Sequence, residues 1–166
     1  SILLASEEKA KTLSDQPIEI TGIGQKTTSA SFTKNILGEI ESTRIAADLA
    51  YKMAKIEAKQ IDVAEVHDAF SVCELMAISE LGLTSNEKSG EFVRDLFNTE
   101  NRMINPRGGL IGAGHPLGAT GISQTIEITN QLQGKSDKRQ ISNAKIGLIH
   151  NMSAAGTSSS IMVLKN

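Results

Sequence analysis

Fourteen residues, Gly108-Gly109-Leu110-Ile111-Gly112-Ala113-Gly114-His115-Pro116-Leu117-Gly118-Ala119-Thr120-Gly121, gather six of the chain's 14 glycines around one of its three histidines. Glycine lets a backbone approach a ligand closely and adopt positive φ without a Cβ clash. Imidazole is the side chain that titrates near neutrality, so the stretch has the composition of a loop that holds a general base. Pro116 biases His115 towards extended conformations and places it on a stiff, non-helical platform ahead of a helical pattern. Two further histidines, His67 in Val66-His67-Asp68-Ala69-Phe70 and His150 in His150-Asn151-Met152, each follow a strand-like run. A histidine at a strand end is often structural, but three at equivalent topological positions suggest a shared acid/base site. Asp68 is read more simply as a cap for the helix that follows it. The single cysteine, Cys73, suits a small buried hydrophobe, although one turn beyond Ala69 it could project towards the same site.

Several other chemistries fail on spacing. No Gly-Lys-Ser/Thr follows the glycines, as a phosphate-cradling loop requires, and the strict Gly-x-Gly-x-x-Gly of a dinucleotide site is missing. Three dispersed histidines form no local chelate, so no metal site is expected. No Gly-x-Ser-x-Gly elbow supports a serine hydrolase.

The elements that must position these residues can be read from periodicity. Glu7 to Leu13 favours helix, Gln16-Pro17 breaks it, and Ile18 to Ile23 alternates as a strand with one buried face. Residues 27–38 are polar and irregular. Ile45, Leu49, Met53 and Ile56 recur at helical spacing, which predicts an amphipathic helix with that face on a sheet. Ile61 to Val66 is a β-branched strand delivering His67 and Asp68 at its carboxyl end. Ser71-Val72-Cys73-Glu74 has the form of a capping box, for a helix ending at Leu81 with Gly82 as its C-terminal cap. Residues 86–102 suit a short helix with Phe92, Leu96 and Phe97 turned inward. Ile104 to Pro106 is extended. Thr120 to Leu132 is a helix with Ile122, Ile126 and Thr129 on one side, ending at Gly134. Ala144 to Ile149 and Ser160 to Leu164 are strands. Strands alternating with helices predict an α/β layered domain, helices on both faces of a mixed, largely parallel sheet, with ligands beyond the strands' carboxyl ends.

At 166 residues, 39% of them hydrophobic, the chain can build one domain with a real core. Ser1 to Ala5 is an apolar run without a preceding turn, so residues 1–16 are read as the tail of an upstream domain and 17–166 as the domain complete here. A formal net charge of −2 gives no basic footprint for nucleic acid. One cysteine excludes an internal disulfide and fits a reducing cytoplasm. No apolar run has membrane-helix length, and the first residues lack a signal-peptide layout, so neither a membrane nor a nucleic acid is an expected partner.

The loop sequence Gly-Ala-Gly-His115-Pro116-Leu-Gly-Ala-Thr-Gly resembles the Gly-His-Pro signature of the thiolase family. Val66-His67-Asp68-Ala69-Phe70 is similar to the His-Asp-x-Phe variant that replaces Asn-Glu-Ala-Phe in archaeal and sterol-carrier-protein type thiolases. The resemblance covers nearly the whole chain in the order of a thiolase C-terminal half. It implies a layered thiolase-like fold and acyl transfer between coenzyme A esters through an acyl-cysteine, with no permanently bound cofactor. By the same resemblance, His115 would activate the nucleophilic cysteine and help hold the thioester oxygen. His67 would stand in for the family's asparagine and complete an oxyanion site through water. Gly114, Pro116 and Asn151 would contact substrate, and His150 and Cys73 are further candidates. Expected partners are acyl-CoA esters, an N-terminal half carrying the nucleophile, and further copies in a homodimer or tetramer.

Three departures qualify the resemblance. The nucleophilic cysteine belongs to the N-terminal half, and Cys73 has the wrong context for it. Ala69 stands where the sterol-carrier type has cysteine. The cysteine-glycine cluster near the C-terminus is replaced by His150 to Gly156, leaving the second acid/base unassigned. The chain is therefore expected to be part of an acetyl-CoA acetyltransferase and not a catalyst alone. Two alternatives stay open: a sterol-carrier-type degradative thiolase or CoA-ester aldolase, and a non-catalytic acyl-CoA-binding subunit. Gly-His-Pro favours thiolase over aldolase chemistry.

Overall fold

A computed structural model describes residues 1–31, 36–99 and 102–166, apart from the side chain of Asn86. Parts of the irregular stretch 27–38 and of the expected 86–102 helix lie outside the described residues. The elements run α1 (Glu7–Leu13), β1 (Glu19–Thr27), α2 (Glu41–Ala54), β2 (Val63–Glu65), α3 (Ser71–Glu80), α4 (Ser89–Asn98), α5 (Gly109–Ala113), α6 (Thr120–Leu132), β3 (Ile146–Met152) and β4 (Ser158–Lys165). The strands form one sheet in the order β1-β4-β3-β2.

Helices cover both faces, as the alternation of elements predicted. The expectation of a largely parallel sheet is corrected: only β2 and β3 pair in parallel, while β3–β4 and β1–β4 are antiparallel. The reason lies in the connections. β3 and β4 are joined by a short hairpin, which forces them antiparallel, whereas β2 and β3 are separated by a long excursion through several helices.

Alternation along the strands separates two cores. Ala64, Val66, Leu148, Ile161 and Val163 face α2 and α3, and Val63, Ile149 and Leu164 face α6 with Ile128 and Leu132. The predicted inner face of α2 is only partly correct: Ile56, just past the helix, packs against the core and Ile45 is half-buried, but the middle of the face turns outward. Leu49 and Met53 are 47% and 58% exposed, and Ser42, Thr43, Ala46, Ala47, Ala50 and Ala54 are buried. Gly22 and Gly24 on β1 explain this, because a Cβ on Gly24 would lie 1.8 Å from the carbonyl oxygen of Ala46. The helix sits too close to the strand for large side chains between them.

Other boundaries carry smaller corrections. Phe70, not Ser71, is the N-cap of α3, and no side chain caps that helix. Its far end is as expected: Gly82 is left-handed, and Leu83 N–H reaches back to the carbonyl of Ile78. Phe97 is 67% exposed rather than turned inward, with the Arg102 guanidinium over its ring. On α6, Ile122 faces outward, and Gln124, Ile128, Gln131 and Leu132 form the inner side. Among the described residues no helix is long and apolar enough to cross a membrane.

Candidate active site

The second face of the sheet is only partly roofed, because α6 packs over β3 and β2 and only lightly over β4. The uncovered corner is an open cavity of about 1340 Å³. Its floor includes Ile20 and Ile23 of β1 and Met162 of β4, and its walls come from α3, α6, the glycine-rich loop and the extended N-terminal residues Ile2 and Leu4. His67, His115, Asn151 and Cys73 all line it. The surround is apolar and the polar groups converge on one end, the usual make-up of a small-molecule site.

Three ties bring the histidine-bearing loops together. Leaving β2, the chain is held by the Asn105 side chain, whose Oδ1 accepts from Val66 N–H at 2.8 Å. Asp68, expected to cap the helix after it, instead accepts from the N–H of Leu110 at 2.6 Å and so pins the first turn of α5. That short helix inside the glycine-rich segment was not anticipated. Gly109 has no substitute here, since its φ is +62° and a Cβ would meet the Asp68 carboxylate. The third tie is an ion pair: Arg107 Nε donates to Glu65 Oε2 at 3.0 Å and Nη1 to Ser123 Oγ at 2.7 Å, locking the loop's entry to β2 and α6. Burial pushes the Glu65 carboxyl up to about 7 against the pull of Arg107, so this pair fixes position more than it adds stability.

The result is an edge-to-face contact between the His67 and His115 rings, centroids 4.9 Å apart. His115 is oriented by Thr120. The Thr120 hydroxyl donates to the Pro116 carbonyl at 3.1 Å, so its oxygen accepts from His115 Nδ1–H at 2.7 Å. A neutral His115 therefore carries its proton on Nδ1 and has an unprotonated Nε2. Gly114, with φ +89°, and Pro116 flank His115 without lining the cavity themselves. Cys73 is half-buried on the cavity wall rather than in the core.

His67 rests on a polar support. Its Nδ1 lies 3.4 Å from Asn151 Oδ1, Asn151 Nδ2 donates to Gln124 Oε1 at 2.5 Å, and Gln124 Nε2 donates to the carbonyl of His150 at 3.5 Å. Burial, with His115 alongside, lowers the pKa of His67, partly opposed by Asn151 and Asp68. Glu74, in the first turn of α3, is pushed up to about 7 by burial and the neighbouring Asp68.

His150 lies within β3 rather than at its end and is fully buried, beneath the cavity and outside its lining. Its Nδ1 accepts from the His67 backbone N–H at 3.4 Å, so its proton sits on Nε2 and is donated to Thr43 Oγ1 at 3.1 Å. Thr43, Ser159 and Ser42 pass the hydrogen bonding on to the Gly156 carbonyl. Gln124, Thr43 and Thr120 escaped the sequence reading; a buried glutamine on the inner face of α6 was the only available signal.

Burial holds His150 neutral, its pKa lowered to about 3. An unfolded imidazole titrates near 6.5, so below that pH the unfolded chain gains a proton that the folded chain refuses until about pH 3. Stability present above pH 6.5 is expected to fall with acidification across this window, by up to about 1.4 kcal/mol per pH unit from this residue. Urea unfolding at pH 7 and pH 5 should show it. His150→Gln keeps a neutral acceptor and donor and should remove about one proton's worth of that slope; identical slopes in the two proteins would contradict the assignment.

A layered α/β domain with two histidines edge to face, one of them in a Gly-His-Pro loop, defines a thiolase-like C-terminal domain. A family profile described as "Thiolase C-terminal domain-like" matches residues 22–166, and the chain belongs to that family. It is 35% identical to an acetyl-CoA acetyltransferase of Methanothermobacter thermautotrophicus over 98% of its length, covering 43% of that protein. It is 38% identical to sterol carrier protein 2 of Oryctolagus cuniculus over 93% of its length, covering 30% of that protein. The chain thus spans less than half the length of these relatives. Among solved structures, an "Ltp2-ChsH2(DUF35) aldolase" superposes with a TM-score of 0.76 over 90% of this chain and 39% of that one, at 19% identity, a likeness of fold.

Proposed function

We propose that this chain is the C-terminal half of an acetyl-CoA acetyltransferase that joins or cleaves acyl units of coenzyme A esters. The observation that carries the reading is the His67–His115 ring contact on an apolar cavity. In this reading a second half supplies a cysteine opposite His115. The unprotonated Nε2 of His115 takes the thiol proton, the thiolate attacks the thioester carbonyl, and the departing CoA thiolate receives the proton back. Donors at the carbonyl oxygen lower the barrier; the resemblance gives His115 that task and gives His67, through water, the oxyanion site of the second ester. Asn151 faces the reacting carbonyl from the cavity wall, while Gly114 and Pro116 act by holding His115 in place. The esters are substrates, and no bound cofactor is called for.

The nucleophile-bearing half also accounts for the apolar rim. Leu117 is 83% exposed, and Phe70, Ile23 and Leu4 are exposed beside it, which together favour a surface built to be covered. Residues 1–16 belong, in this reading, to the preceding domain, and the assembled protein is a cytoplasmic homodimer or tetramer.

Quenched single-turnover reaction of the protein carrying this chain with acetyl-CoA is expected to release one CoA per site and leave one acetyl group on a cysteine of the other half. Acetylation absent throughout would leave a non-catalytic acyl-CoA-binding subunit. A second reading, degradative thiolysis of the sterol-carrier type, is favoured by the 38% identity to sterol carrier protein 2; faster turnover of longer 3-ketoacyl-CoA than of acetoacetyl-CoA would select it.

A further inference from the structure

We propose that His67 is the second acid/base of this site, its Nε2 taking the proton from the carbon α to the thioester; the assignment rests on the thiolase reading above. One hydrogen-bond role beneath the cavity is fixed. The His150 carbonyl can only accept, so the side-chain nitrogen of Gln124 must face it, and Gln124 Oε1 is left to face Asn151. An oxygen there requires the Asn151 nitrogen opposite it, which turns Asn151 Oδ1 towards His67. That oxygen only accepts, so Nδ1 of His67 carries the proton. A neutral imidazole has one ring proton, and Nε2 of His67 is therefore an open lone pair with no protein partner among the described residues.

Neutral His67 thus faces a substrate as a proton acceptor and cannot donate a hydrogen bond from Nε2 until it has been protonated. The backbone side reinforces the arrangement. The His67 N–H is held by His150, whose own proton is committed to Thr43, so the imidazole beneath has none to pass upward.

The side chains around the cavity leave little competition for the task. Ala69 carries no proton, and residues 150–156 contain no cysteine. Among the described residues lining the cavity, the titratable ones are His67, His115 and Cys73, and His115 is occupied with the nucleophile.

The step balances. The Cα–H bond of the second ester breaks, its electron pair moves into the thioester carbonyl as an enolate, and the proton passes to Nε2 of His67. The new Nε2–H is then the donor that the enolate oxygen needs. The enolate carbon attacks the acyl-cysteine carbonyl, the C–S bond breaks, and the departing thiolate takes the proton back from His67.

The test uses the intact protein with its nucleophile-bearing half and acetyl-CoA deuterated at the α carbon. His67→Asn keeps a side-chain donor for the oxygen but cannot take up a proton. It is expected to slow deuterium washout by about 100-fold or more, while single-turnover CoA release changes by less than about 3-fold. Washout within about 3-fold of wild type in His67→Asn, or washout that instead disappears in Cys73→Ser, overturns the assignment and leaves His67 as an oxygen donor only. Wild-type protein that neither acylates nor exchanges overturns the thiolase reading and this assignment with it. Independently of any variant, ¹⁵N spectra of selectively labelled wild-type protein should show His67 protonated at Nδ1 and bare at Nε2. The opposite tautomer overturns the proposal even if His67→Asn fails to fold.

Discussion

Replacing His115 by alanine in the protein that carries this chain should slow acyl-cysteine formation by about 1000-fold, the middle of the range for losing a positioned general base. Binding of the CoA ester should weaken by much less. The distinction follows from the geometry. Thr120 holds the Nδ1 proton and leaves Nε2 bare, so what the ring offers is proton transfer, an interaction realised in the transition state and not in the ground-state complex. Single-turnover CoA release across a range of acetyl-CoA concentrations separates the two effects. A variant that loses affinity while acylating at the wild-type rate when saturated would show His115 to be a binding residue. Thr120→Val, which removes the acceptor for Nδ1–H, should produce a smaller loss in the same step, since the ring stays present but is free to turn.

The second large effect concerns the fold. Gly24→Ala should destabilise the protein by about 3 kcal/mol, the upper part of the range for forcing an extra carbon into a packed contact. The new Cβ would fall 1.8 Å from the Ala46 carbonyl oxygen, and a backbone atom cannot rotate aside. Relief requires α2 to move off β1. For a chain of this size that corresponds to a fall in melting temperature of roughly 10 °C. The displacement should also reach the site, because Thr43 on α2 holds His150 and His150 holds the backbone of His67. An unchanged melting temperature would mean that the helix does not lie as close to the strand as described.

Much of this arrangement was legible in the residues, and each success has a local cause. The limits of α1 and α6 follow from Gln16-Pro17 and Gly134, and the end of α3 from Gly82, because a helix ends where a residue can turn left-handed or cannot donate. His67 and His115 were singled out by their neighbours, a β-branched run ending in His-Asp and a cluster of glycines around His-Pro. The errors arose where a rule assumed the partner. Ile45, Leu49 and Met53 have the right period for a buried face, but Gly22 and Gly24 draw the backbone in so closely that alanines occupy the interface. Asp68 and Ser71 have the residue types of caps for α3, yet Asp68 is committed to Leu110 and Phe70 takes the cap position.

The sequence by itself determined the kinds of element, their order and the chemical groups available, since turn residues, strand alternation and side-chain protons are properties of short stretches. The tertiary structure alone decided strand direction, the face each helix turns inward and the nitrogen on which each imidazole carries its proton. Those depend on pairings between residues far apart in the chain, such as Asp68 with Leu110, Asn151 with His67 and Thr43 with His150. A hydrogen bond between distant residues leaves no trace in local composition, and it is such bonds that bury one of the three histidines in its neutral form and leave the other two with bare Nε2 atoms on the cavity.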